Sequence, residues 1–159
     1  MSELRTNKIY PRDGLPAGSS GGIIQLKFNY SGTGSGGSIT INSTTFVDVV
    51  EVTITPTSAS NKVYMIFNVN ANNEDSSSSL DRLKMRILRN GSSIWHVDEA
   101  LVSYDNDNIH VQGIGAAYLD SPATTSAVTY KLQVASSHGN NLNINNNGRS
   151  DFTLMEVSG

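Results

Sequence analysis

The run VEVTITP at residues 50–56 alternates apolar and polar side chains and then stops on a proline, and the same pattern recurs along the chain. Successive side chains of a strand point to opposite faces, so a period of two specifies a strand with one covered face. Val50, Val52 and Ile54 share one side, and Pro56 ends the ladder because it has no amide hydrogen to donate. KVYMIFNVN puts Val63, Met65, Phe67 and Val69 together, while Ile66 on the opposite side predicts that both faces are partly covered. IIQLKFNY reads as a half-buried strand, with Ile24, Leu26, Phe28 and Tyr30 alternating against Gln25, Lys27 and Asn29.

NNEDSSSSLDRLKMRILRNG supports two readings. Leu80, Leu83, Ile87 and Leu88 fit helical spacing, with serines for an N-cap and Asn90-Gly91 as the stop. Strict alternation of Arg82, Lys84 and Arg86 with Leu83, Met85 and Ile87 favours a strand, and Asn90-Gly91 then becomes a tight hairpin turn into SSIWHV. Further runs at ALVSY, NIHVQGIGAAYL, AVTYKLQVAS, NLNIN and DFTLMEV are divided by turn clusters at DND, DSPATTS, SSHGNN and NNNG. Eight to ten short strands at this spacing predict an all-β protein, an antiparallel two-sheet sandwich or jelly roll.

Composition agrees. Charged residues are 16% of the 159, below the usual ~25%, and 22 serines with 17 asparagines replace them, which favours turns over long helices. A chain of this length supports one core, and residues 23–159 are expected to form it, behind an extended arm at residues 1–22.

The net charge of −3 gives no overall attraction to phosphate backbones, so nucleic acid is not an expected partner. Without cysteine there is no disulfide, thiolate zinc site or thiol nucleophile. No apolar run approaches the ~20 residues of a spanning helix, so membrane insertion is not expected. SELRTNKIYPRDG lacks the apolar middle of a secretory leader, and the sequons at Asn29, Asn42 and Asn90 are read as chance.

Candidate chemistry is sparse. SGTGSGGS lacks the Lys-Ser/Thr pair of a phosphate loop and opens onto SITI rather than a helix. His96, His110 and His138 have no Ser or Asp at a characteristic catalytic spacing and read as surface or packing residues. Asp105-Asn106-Asp107-Asn108 offers oxygens that suit calcium, but a solvated loop uses the same residues for its own backbone, so no metal or other cofactor is assigned. Arg82, Lys84 and Arg86 read as salt-bridge partners of Glu74, Asp75 and Asp81 rather than as an anion site. The adjacent pair Asp98-Glu99 points to opposite faces and cannot act together as a glycosidase acid pair, so no enzyme is expected.

VEVTITPTSASNKVYMIFNVNAN, RILRNGSSIW, YLDSPATTSAVTYKLQVAS and FTLMEVSG, in this order across residues 23–159, together resemble the jelly-roll module of bacteriophage tail fibres and virion appendages. That module is itself similar to the complement globular-head and tumour-necrosis-factor fold. SELRTNKIYPRDGLPAGSSGGIIQ resembles the N-terminal attachment segment of marine phage appendage proteins.

The resemblance implies a virion location and a threefold homotrimer with the FTLMEV strand near its axis. Phe152 and Leu154 on one side of that strand, and Met155 and Val157 on the other, are the expected trimer contacts, since a strand apolar on both faces needs two covers, one the domain core and the second a neighbouring subunit. Leu4, Arg5, Ile9, Tyr10 and Leu15 are expected to anchor the arm to another virion protein. Only LPAGSSGG separates arm from jelly roll, which favours a compact tail appendage, fibre-base part or capsid decoration over a long fibre. The alternative is a host-receptor or glycan-binding tip that presents Asp105, Asn106, Asp107, Asn108, Asn140 and Asn146.

Overall fold

The computed structural model of the chain describes residues 22–32, 37–73, 82–100, 110–139, 141–146 and 148–159. They form ten strands: β1 (Ile23–Ser31), β2 (Ile39–Ile41), β3 (Val47–Ile54), β4 (Lys62–Asn73), β5 (Leu83–Arg89), β6 (Ser92–Ala100), β7 (His110–Asp120), β8 (Val128–Ser136), β9 (Leu142–Ile144) and β10 (Ser150–Val157). All pairings are antiparallel, in two sheets. The first runs β1-β10-β4-β9-β2 with β7 also on β4, and the second runs β3-β8-β5-β6.

The alternation seen in the sequence sets which side chains meet between the sheets. Val63, Met65, Phe67 and Val69 of β4 and Phe152 and Leu154 of β10 face Val52 and Ile54 of β3, Tyr130 and Leu132 of β8, and Met85 and Ile87 of β5 in one buried cluster. Phe67 is its hub, edge-on to Phe152 at 6.0 Å and to Trp95 of β6 at 5.1 Å. Such ring pairs add about 1 kcal/mol beyond the area they bury.

LKMRIL is a strand, as its alternation predicts: Leu83, Met85 and Ile87 are buried and Lys84 and Arg86 point outward. Asn90 (φ 48°) and Gly91 (φ 88°) form the turn into β6 with two successive left-handed residues, the geometry that an Asn-Gly hairpin supplies. Asn90 also ties this turn sideways to β8, donating its amide to Thr129 O and accepting from Thr129 N, each at 2.9 Å.

Two long rows of the first sheet are broken at the same level. β1 and β2 run in one line against β10 and β9, interrupted after Ser31 and again between Ile144 and Ser150. Asn145 fills the gap: fully buried at φ 64°, it donates from Nδ2 to Ser31 Oγ at 2.9 Å and accepts from Ser150 Oγ at 2.7 Å. Its amide bonds Asn70 O, so the long strand β4 splints the break. Gly32 (φ 85°) passes so close that a Cβ there would lie 2.5 Å from Asn145 Cβ.

Two sequence expectations need correction. Ile66 is exposed, so among the described residues β4 is covered on one face only. β1 is inverted: Leu26, Phe28 and Tyr30 face outward, and the polar set faces the second sheet. The reason is that β1 lies beside the free edge of β3, whose carbonyls need donors. Gln25 Nε2 bonds Thr55 O at 2.7 Å and Asn29 Nδ2 bonds Glu51 O at 2.9 Å.

Gly32→Ala and Gly91→Ala separate backbone strain from crowding, since both positions have a positive φ but nothing lies within 4 Å of a Cβ at Gly91. In urea unfolding we expect Gly91→Ala to cost about 1 kcal/mol and Gly32→Ala about 3 kcal/mol, the excess being the collision with Asn145.

Candidate functional site

The outer face of the first sheet carries a feature that the described residues leave uncovered. Cross-strand partners in an antiparallel pair lie on one face, so the registers place Leu26, Met155, Tyr64 and Leu119 side by side in one row across four strands. The adjacent row is Phe28, Thr153, Ile66 and Ala117, and the next is Tyr30, Asp151, Asn68 and Gly115. Among the described residues, the large hydrophobic side chains left exposed are Ile23, Ile24, Leu26, Phe28 and Tyr30 of β1, Tyr64 and Ile66 of β4, and Leu119 of β7, with exposures of 37–60%. All are in this sheet. Two mainly apolar rows across four strands, at ~4.8 Å between strands and ~6.6 Å between rows, with Ile23, Ile24 and Val157 at one end, give an apolar field of roughly 300 Å², in the range of the largest patch on a monomer, which is often functional.

The outer face of the second sheet is its chemical opposite. Lys131 Nζ lies 2.7 Å from Asp48 Oδ2 and 3.4 Å from Glu51, and Gln133 and Arg86 continue the ladder, with Arg86 Nε 2.7 Å from Gln133 Oε1. The Arg86 guanidinium sits 4.1 Å over the Phe46 ring. Hydrogen bonds from Lys131 and Gln133 hold the Asp48 carboxyl below its ordinary pKa, and the bond to Asp48 raises that of Lys131. A shallow depression of about 330 Å³ opens here beside Leu88, Gly91 and Thr129, but its charged groups are bonded to one another.

Two buried carboxylates lie at the margins of the sandwich. Asp120, at the end of β7, accepts from Arg89 Nη1 at 3.0 Å through both oxygens and from the Tyr130 hydroxyl at 2.7 Å, linking the two sheets. Burial, then the bond to Asp120 and its charge, push the Tyr130 phenol far above its ordinary pKa, so it serves as a permanent donor. Glu156, fully buried near the end of β10, accepts from Asn61 Nδ2 (2.6 Å), Gln25 Nε2 (2.6 Å), Thr57 N (2.7 Å) and Thr57 Oγ1 (2.8 Å). Burial alone would raise its pKa, but these bonds outweigh it and bring the value down to about 2. Both carboxylates are engaged in holding segments together.

The structure separates the four expected trimer contacts. Phe152 and Leu154 are fully buried in the core of their own chain, whereas Met155 and Val157 lie on the outward face. Only the second pair is within reach of a neighbouring molecule. Leu4, Arg5, Ile9, Tyr10 and Leu15 of the arm, Asp105, Asn106, Asp107 and Asn108, and Asn140 lie outside the described residues. Asn146 is half-buried in the turn after β9. Arg86 takes Gln133 and Phe46 as partners; Glu74, Asp75 and Asp81, its expected acidic neighbours, fall outside the described residues. His96 lies 4.0 Å from Asp98 with both side chains exposed, and His138 Nδ1 is 2.7 Å from Ser137 Oγ. Among the described residues, no group of three or more His, Cys, Asp or Glu side chains could hold a metal ion. No helix there is long and apolar enough to cross a membrane.

Sequence reasoning missed Gln25, Glu156, Asp120 and the exposed row Tyr64–Leu119. The sequence signals for the face were Ile66, apolar on the side of β4 opposite its core set, and Met155 and Val157 on the second side of β10. Comparison of the sequence with protein-family models and with curated proteins returns no match.

Because the folded pKa of Glu156 lies below its ordinary 4.5, its stabilising contribution is complete above pH 4.5 and is lost as pH falls toward about 2. Glu156→Gln presents an amide hydrogen to donors and should cost about 2 kcal/mol at neutral pH. Paired urea titrations should show the gap between the wild type and Glu156→Gln closing below pH 4.5 and constant above it.

Proposed function

We propose that the chain is a non-enzymatic virion structural protein that works as a homotrimer, each copy covering the apolar outer face of a neighbour's first sheet. The observation that carries this is the segregation of every large exposed hydrophobic side chain among the described residues onto that face, opposite a charged ladder on the other. Solubility alone would select polar residues for both. Met155 and Val157 lie in this field, consistent with β10 running near a symmetry axis.

The strand order supports the finer reading of the fold. Eight strands fall into the orders β1-β10-β4-β7 and β3-β8-β5-β6, in which the first and last strands of the chain pair and connections cross between sheets, as in a jelly roll of two Greek keys. The threefold symmetry and the virion setting rest on the resemblance of residues 23–159 to phage appendage modules. Most soluble homo-oligomers close into a point group, and a threefold ring closes when one part of each copy packs on a different part of its neighbour. In the same reading, Leu4, Arg5, Ile9, Tyr10 and Leu15 of the arm bind another virion protein.

Sedimentation equilibrium of the full chain should give a particle of three 17.0 kDa chains. Ile66→Asp and Met155→Asp, on the outward face, should yield monomers with unchanged β-sheet circular dichroism, whose unfolding free energy differs from that of the dissociated wild-type chain by less than about 1 kcal/mol. A wild-type chain that stays monomeric at high micromolar concentration contradicts the proposal.

A further inference from the structure

The start of β1 ties the outer face to a buried hydrogen-bond centre. The β1–β10 register shifts between Ile23, opposite Val157, and Gln25, opposite Glu156, leaving Ile24 as the extra residue of a bulge. In a regular strand Ile23 and Gln25 would share a face. The bulge instead leaves Gln25 turned toward the sandwich while Ile23 and Ile24 stand 60% and 44% exposed beside Val157. Gln25 Nε2 holds this geometry with two bonds, 2.6 Å to Glu156 Oε2 and 2.7 Å to Thr55 O. The other oxygen of Glu156 serves Thr57 and Asn61, in the turn between β3 and β4, so the carboxylate is anchored independently of β1.

On the reading of this face as a self-association surface, we propose that Gln25 is its positioning residue: the clasp on Glu156 and Thr55 O fixes the bulge and so presents Ile23 and Ile24 to a second copy of the chain. Gln25 makes no contact with the partner itself. Asn61 supplies the natural control, because it donates to the same carboxylate yet belongs to a turn outside the face. The continuity of Ile23 and Ile24 with Leu26, Met155 and Val157 makes the same second copy the occupant of the whole field.

The test compares wild type, Gln25→Ala, Asn61→Ala and Ile24→Ser as full-length chains, by sedimentation equilibrium, urea unfolding and amide hydrogen exchange across residues 23–30. Gln25→Ala and Asn61→Ala should both lower the urea midpoint, since each removes a donor from Glu156. Only Gln25→Ala should also raise exchange at the start of β1 and weaken association, by about tenfold or more. Ile24→Ser should weaken association while matching the wild-type urea midpoint at chain concentrations low enough to dissociate the wild type, and it keeps the test decisive if Gln25→Ala does not fold. Wild-type association in Gln25→Ala or in Ile24→Ser overturns the proposal, as does an equal weakening by Asn61→Ala, which would reduce Gln25 to a stabilising contact. A wild-type chain that never associates overturns the self-association reading itself, and this inference with it.

Discussion

The closure of the sandwich at β1 is the interaction on which the character of the molecule depends. β3 is an edge strand of the second sheet, and an edge strand carries a row of unpaired backbone groups. Two amide side chains of β1, Gln25 and Asn29, reach carbonyls on or just beyond that edge, at Thr55 and Glu51. Polar residues of β1 must therefore face the second sheet. Period-two alternation then leaves Leu26, Phe28 and Tyr30 no direction but outward, onto the face already bearing Met155, Tyr64 and Ile66. A backbone requirement at one margin thus decides the chemistry of a whole surface.

The consequence is a sandwich with two unlike exteriors. Lys131, Asp48, Glu51, Gln133 and Arg86 hold one another across the second sheet, where water and salt keep each pair individually weak. The first sheet offers a field of branched and aromatic side chains that releases free energy only when another surface covers it. Between the two, Asp120 and Glu156 fix the margins, each with its lone pairs satisfied by designated donors. Self-association through the first face uses surface already present and asks for no rearrangement of the core.

Much of this architecture was legible in the sequence. Alternation identified LKMRIL as a strand against its rival helical spacing, Asn90-Gly91 marked its turn, and the parity of FTLMEV separated Phe152 and Leu154 from Met155 and Val157. What alternation cannot supply is the sign: it divides a strand into two faces without saying which is inside. For β1 the apolar set is outside, because the deciding partners, Glu51 and Thr55, lie 22 and 30 residues away on another sheet. For the same reason Phe152 and Leu154 belong to the core rather than to an interface. Glu156 gave no sequence signal, since its donors Gln25 and Asn61 are 131 and 95 residues distant, and Asp120 meets Arg89 across 31. Ile66, apolar where its strand should be polar, and Met155 and Val157, on the second apolar side of theirs, pointed to the open face.

Because the chain has no cysteine, a single thiol can be placed on either exterior and its reactivity followed with concentration. Ile66→Cys reports the outer face of the first sheet, and Lys84→Cys that of the second. If copies of the chain cover the first face, alkylation of the thiol in Ile66→Cys should slow as protein concentration rises, while that in Lys84→Cys stays constant. Equal and concentration-independent rates at the two positions would contradict self-association through this face.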